Sequence, residues 1–344
     1  MQLVARGSQD KYISVEPDIT FFKAHHRRHT NFAMESIEQT FNGTVSPGGR
    51  VSATISRNGD LVHTMWLEIT TDASPLGDAY DFIKQISIEI GGTRIDRQTG
   101  DFMKRMSNLT LQNKYKDELL GNLNAGTTSG SSRKRLIPLS FWFCKEAGQA
   151  LPLIALQYHE VKVVVEFTAG IPTANPTSFV QDAKLWVDYI YLDTEERKRF
   201  ARSKHEYLIE QVQTTGEETL SGSGNEKVRL NFNHPVKELI WTAPGMTRAK
   251  LQLNGHDRFT ERDADYFRTL QTYQHHSGRD SSNSVFVYSF ALEPEKLQPS
   301  GTCNFSRIDN ATLNIEGATS ATVYAVNYNV LRISNGMGGL AYSN

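Results

Sequence analysis

A period of two runs through this chain and constrains it more than any other feature. Apolar and polar residues alternate in short runs at Val51–Ile55, Leu61–Ile69, Ile86–Ile90, Val161–Phe167 and Leu185–Tyr191. The pattern returns at Val236–Trp241, Lys250–Leu253, Val285–Phe290, Thr312–Ile315 and Thr322–Val326. Successive side chains of a strand point to opposite faces, so alternation of this kind predicts half-buried strands. The runs are rich in β-branched and aromatic residues, with Gly, Asn, Asp and Pro between them. Many short strands separated by turn signals predict an all-β sandwich or barrel. The 344 residues leave room for two domains of about 150 each.

Helix signals are few. Residues 193–210 carry the strongest. Asp193 stands three residues before Glu196, as in a capping box, and Glu195 precedes Arg199 by four. Phe200, Tyr207 and Leu208 share the i, i+7, i+8 spacing of one helix face. The segment reads as a charged helical linker, its basic residues a solvated face. Asp101–Asn108 reads as a second, short surface helix. Gly121–Ser132 is mostly small or polar and reads as an exposed, mobile loop. Protease should cut first there or at Arg133-Lys-Arg135.

The two halves repeat in order. Ile88-Glu-Ile-Gly-Gly92 matches Leu251-Gln-Leu-Asn-Gly255, and Asp101-Phe-Met matches Asp265-Tyr-Phe. Ser140–Glu146 then matches Ser289–Glu295, and Trp186-Val-Asp-Tyr189 resembles Tyr324–Tyr328 with a one-residue slip. Four matches in one order predict two copies of one β domain. Their size fits two tandem eight-stranded antiparallel jelly-roll barrels, a double jelly roll.

Charge and chemistry narrow the function. Lys+Arg 37 against Asp+Glu 38 gives a net charge of −1, which excludes a strongly basic nucleic-acid packager and an acidic disordered chain. Arg6, Asp10, Lys11, Glu16 and Asp18 interrupt the first twenty residues, so no signal-peptide core is expected there. The apolar stretch Leu151–Leu156 contains Pro152 and is far too short to span a bilayer. Two cysteines cannot build a disulfide framework or a four-cysteine zinc site. Cys144 and Cys303 are expected to be reduced, buried thiols.

No motif carries catalysis. His25-His26-Arg27-Arg28-His29 lacks a third metal ligand in a recognisable pattern. His159-Glu160 and His275-His276 read as polar caps at strand ends, because a cupin-type site needs His-x-His and none occurs. There is no G-x-S-x-G, and neither Gly48-Gly49 nor Gly91-Gly92 opens a phosphate loop. Glu261, Asp263 and Asp265 lie among Arg258, Arg262 and Arg268, which points to internal ion pairs. Two other β-rich classes stay open at this stage, a glycan-binding jelly roll and a metal-dependent jelly-roll enzyme. Glycan binding would use exposed Trp, whereas Trp66, Trp142, Trp186 and Trp241 sit in alternating runs and read as core.

Longer stretches resemble a known family. Ile19–Lys23, Arg27–Glu38 and Phe41-Asn-Gly43 are similar to the start of the major capsid proteins of nucleocytoplasmic large DNA viruses. Pro138–Cys144 and Ala150–Val161 resemble that family's first domain. Leu253–Arg258, Tyr273–His276, Gln298–Asp309 and Asn327–Asn344 resemble its second. The resemblance implies a structural, non-enzymatic capsid protein with no cofactor and no metal, a double jelly roll whose barrels stand side by side. It implies a homotrimeric, pseudo-hexameric capsomer in an icosahedral double-stranded DNA virus, made in the host cytoplasm and carried in the virion. Its partners would be itself, neighbouring capsomers, minor capsid or penton proteins and an internal membrane, with no sequence-specific nucleic acid. The chain is short for the family, so its outer loops should be small. The expected divisions are an N-terminal barrel with its arm at 1–195, a helical linker at 196–210 and a C-terminal barrel at 211–344. The expected assembly contacts are Arg27, Arg28 and His29 in the arm, Arg199 and His205 at the linker, and Tyr273, His275 and His276 in a second-domain loop.

Overall fold

A computed structural model describes residues 7–71, 78–110, 119–121, 133–170, 180–278 and 284–343. Residues 1–31 form a unit of their own, whose one helical turn is Lys11–Ser14. The described part of this arm is exposed almost throughout, Tyr12, Phe21 and Phe22 included.

The first domain has eight principal strands. They are β1 (Phe32–Gln39), β2 (Arg50–Thr54), β3 (Leu61–Thr71), β4 (Ile83–Ile90), β5 (Thr93–Thr99), β6 (Arg133–Pro138), β7 (Val161–Phe167) and β8 (Val180–Leu192). The second domain has β9 (His205–Thr219), β10 (Asn225–Arg229), β11 (Pro235–Thr242), β12 (Arg248–Leu253), β13 (His256–Asp257), β14 (Val285–Ser289), β15 (Ala311–Glu316) and β16 (Ser320–Ser334). The first domain's sheets run β1-β8-β3-β6 and β2-β7-β4-β5. The second domain's run β9-β16-β11-β14 and β10-β15-β12-β13. Adding eight to each strand of the first domain gives the second. Every pairing is antiparallel, and two four-stranded sheets in this order make a jelly roll.

The inner faces fill both barrels. Met65, Leu67 and Ile69 of β3 meet Val163, Val165 and Phe167 of β7 and Ile86 and Ile88 of β4 in one buried cluster. In the second barrel Trp241 packs edge-on to Phe267 at 5.2 Å and stacks on Phe286 at 5.9 Å. Each such side chain stabilises the fold by about 1.5–3 kcal/mol through burial.

The repeat read from sequence falls on equivalent places. Gly91-Gly92 (φ 58° and 79°) joins β4 to β5, and Asn254-Gly255 (φ 51° and 78°) joins β12 to β13. A two-residue hairpin with positive φ at both positions is the type I′ turn, which favours Gly and Asn. Next comes a helix in each domain: α1 (Gly100–Thr110) in the first, then, beyond the connecting α2 (Thr194–Arg202), α3 at residues 266–275 in the second. The third match follows β6 and closes β14, and the fourth lies in β8 and β16.

Four expectations are corrected. The 193–210 segment is helical only over Thr194–Arg202, and Asp193 stands at its N-cap without a side-chain bond. From His205 the chain is a strand, so the linker is shorter than 196–210. Ile209 and Gln211 turn inward at period two, and the helical spacing of Tyr207 and Leu208 was coincidental. α1 is not a surface helix, since Phe102, Met103, Met106 and Leu109 are buried. Arg133–Pro138 is a strand paired with β3, so the cut expected at Arg133-Lys-Arg135 falls on paired backbone; Arg135 is fully buried with its guanidinium over the Phe82 ring at 5.0 Å. The loop expected at Gly121–Ser132 lies, after Gly121, outside the described residues. Trp142 and Trp241 are core, but Trp66 and Trp186 are half-buried on an outer sheet face. Both cysteines are free thiols, and burial pushes the Cys144 thiol up to about 12.

Candidate assembly surfaces

The contact between the barrels shows how this fold binds a copy of itself. One face of the β9-β16-β11-β14 sheet fills the second barrel with Leu239, Trp241, Phe286, Val323 and Ala325. The opposite face adds Ile209, Ile240, Val287, Tyr324 and Val326 to the first barrel's apolar cluster. This sheet is buried on both sides, and β11 carries a run of six buried residues as a result.

Polar groups fix that contact. The Val212 N–H donates to Asp96 Oδ1 at 3.0 Å, and the Gln98 amide donates to Asp96 Oδ2 at 2.9 Å. The Gln211 amide donates to the Ile95 carbonyl. The Tyr324 hydroxyl donates to Asp101 Oδ2 at 3.0 Å, while its ring lies 5.4 Å from Phe102 of α1. Glu210 accepts from Lys145 of the first domain at 2.5 Å and from the buried Lys237 of β11 at 2.6 Å. Burial pushes Glu210 up, but the two ammonium groups outweigh it and hold the carboxyl at about 2.

Among the described residues, the corresponding outer face of the first barrel has no such cover from the second. Trp66 of β3 and Trp186 of β8 are register partners there. The Trp186 indole N–H donates to Glu68 Oε2 at 3.1 Å, and Lys134 pairs with Glu68 at 3.0 Å. Lys184 pairs with Glu38 at 3.2 Å. Exposed pairs of this kind contribute about 0–1 kcal/mol. The face therefore gains little stability as it stands.

The expected contact residues separate into three groups. Arg27, Arg28 and His29 are exposed in the arm, and His29 Nδ1 lies 2.7 Å from the Thr30 carbonyl. Arg199 is exposed on α2. His205 opens β9 with Nε2 at 2.7 Å from the Phe200 carbonyl and its ring stacked between Phe200 and Tyr207. Tyr273 projects from α3, and His275 Nδ1 lies 3.1 Å from the Leu292 carbonyl. His276 is turned inward instead. Its side chain is sealed between Glu238 at 3.0 Å and Glu295 at 3.2 Å. Burial alone would lower its pKa, but the two carboxylates raise it to about 9. It serves the barrel's interior, not its surface. Sequence reasoning took Trp66 and Trp186 for core and passed over the exposed Leu270 and Leu292. The one-sided burial of β8 against the two-sided burial of β16 sets Trp186 apart.

Among the described residues no three His, Cys, Asp or Glu side chains gather as metal ligands. Arg248 pairs with Asp263 at 3.1 Å and with Glu261 at 4.0 Å, and Arg268 pairs with Asp265, so this acidic run is internally paired. His159 Nδ1 lies 3.0 Å from the Gly338 carbonyl at the contact between the barrels.

Two tandem jelly rolls joined through a doubly buried sheet define a protein of the double jelly-roll class. Comparisons with known proteins specify it further. Residues 20–193 match the model of the major capsid protein N-terminus, and residues 196–244 and 242–339 match that of the large eukaryotic DNA virus major capsid protein. The chain is 50% identical to the major capsid protein of Pyramimonas orientalis virus, over 100% of this chain and 99% of that one. It is 40% identical to the major capsid protein of Paramecium bursaria Chlorella virus 1, with the same coverage. The alignments run over 396 and 432 positions, so these relatives carry insertions that this chain lacks. Among solved structures it superposes on the PBCV-1 virus capsid with a TM-score of 0.86 at 36% identity, covering 94% of this chain and 100% of that one. The Faustovirus major capsid protein shares the fold at a TM-score of 0.75 and 11% identity, over 96% and 94% of the two chains. The chain belongs to the family of major capsid proteins of large eukaryotic DNA viruses. It is a structural, non-enzymatic component of an icosahedral virion shell and assembles with copies of itself.

Proposed function

We propose that three copies close into a pseudo-hexameric capsomer, and that such capsomers tile the icosahedral shell of a double-stranded DNA virus. The observation that carries this reading is the strand order repeated with an offset of eight. Two like barrels per chain make six like barrels per trimer, so one kind of lateral contact serves the whole ring. The reading treats the domains as two building blocks joined at α2, with the arm of residues 1–31 as an addition. Arg27, Arg28, His29, Arg199, His205, Tyr273 and His275 then serve as contacts within or between capsomers. The wider setting is synthesis in the host cytoplasm, with minor capsid or penton proteins and an internal membrane as neighbours of the shell.

Native mass spectrometry tests the trimer. At neutral pH, moderate salt and micromolar concentration, a species of three times the chain mass is expected. Obligate interfaces bury on the order of 2,000 Å² or more and survive such dilution. Only monomer or dimer under those conditions contradicts the reading.

A further inference from the structure

The chain contains each half of its internal contact twice, covered once and open once. In the covered pair, Tyr324 of β16 and its register partner Ile240 of β11 present the outer face of the second barrel's sheet. Tyr324 packs at a tilt against Phe102 and donates to Asp101, both on α1. The repeat aligns Tyr324 with Trp186, and Asp101-Phe102 with Asp265-Tyr266. Register extends the match, because Trp186 pairs with Trp66 of β3 as Tyr324 pairs with Ile240 of β11. Two large indoles thus stand where the second barrel places its buried contact residues.

The receiving side repeats as well. On α1, Met106 is 7% exposed and Leu109 1%. On α3, Leu270 is 44% exposed and Tyr273 85%, and Leu292 beside the His275 ring is 76% exposed. Isolated exposed apolar residues are ordinary, but these gather at the place where the first barrel receives its partner. Arg262 lies over the Tyr266 ring at 4.3 Å.

We propose that Trp66 and Trp186 of one copy pack on α3 of a second copy, against Tyr266, Leu270 and Tyr273, as Tyr324 packs on α1 within the chain. The contact is head to tail, so every copy offers one sheet face and one helix. This inference rests on the trimer reading and names the surfaces that make it.

The test uses the full chain and two variants, Trp186→Glu on the sheet face and Tyr273→Glu on the helix. Native mass spectrometry of each variant alone should show the trimer weakened on the order of 100-fold or more. Circular dichroism melts should show each dissociated chain still folded. Mixing the two should yield a dimer of one Trp186→Glu chain with one Tyr273→Glu chain, because a single intact sheet–helix contact remains between them. Hydrogen exchange of the unmodified trimer should show residues 266–275 protected relative to the dissociated chain, which needs no substitution. Trimers that persist in both variants, or no protection of 266–275 in a wild-type trimer, overturn this inference while leaving the trimer standing. A wild-type chain that never trimerises overturns the trimer reading itself.

Discussion

β8 and β16 hold the same place in two copies of one fold, yet they are buried differently. β8 alternates, with Leu185, Val187 and Tyr189 inside and Lys184, Trp186 and Asp188 half-covered outside. β16 is buried without a break from Val323 to Asn329. Topology does not set this difference, since the strand neighbours are equivalent. The outer face does. The second barrel's sheet finds a partner within the chain and carries Tyr324, Val326, Ile240 and Val287 there. The first barrel's sheet finds none among the described residues and carries tryptophans framed by ion pairs. A face with a permanent partner becomes core. A face that waits for a second copy must also tolerate water.

Substitutions can break this contrast at graded cost. Trp241→Ala opens a cavity in the second barrel's core and should cost about 3–5 kcal/mol in urea denaturation. Glu210→Gln removes the carboxylate shared by Lys145 and Lys237 at the contact between the barrels. It leaves the Lys237 ammonium buried without that counter-ion and should cost on the order of 3 kcal/mol.

His276 adds a pH dependence confined to the second barrel. Its folded pKa of about 9 lies above the ordinary 6.5. The folded state therefore holds the proton more tightly than the unfolded chain. The stabilisation is complete below pH 6.5 and is lost as pH rises through about 9. Denaturation across pH 6 to 10 should show a decline of about 2 kcal/mol, shared with Glu238 and Glu295, and His276→Gln should flatten it. The smallest effect belongs to the open face. Trp186→Ala should cost the dissociated chain below about 1 kcal/mol, against the several kcal/mol expected at Trp241.

Much of the fold was legible in the residues because one-sided burial writes itself as alternation. All ten alternating runs fall on strands, and the repeated Gly91-Gly92 and Asn254-Gly255 mark equivalent hairpins. What escaped lies where alternation fails or points the wrong way. β1, an exposed edge strand, has no buried row to reveal it. β9 begins with charges that imitate a helix, and β6 hides a buried arginine in a basic run. The surfaces were less legible still. Period two separates two faces without saying which one is inside, so Trp66 and Trp186 read as core. His276 read as surface because its partners Glu238 and Glu295 are distant in sequence.

The open sheet face of the first barrel is completed, on this proposal, by another copy's α3. An electron cryo-microscopy map of the assembled shell at side-chain resolution should show Trp66 and Trp186 in contact with residues 266–275 of the adjacent copy, in the relation that Tyr324 has to α1. Indoles that face solvent in the shell, or that rest on a different element of the neighbour, would contradict it.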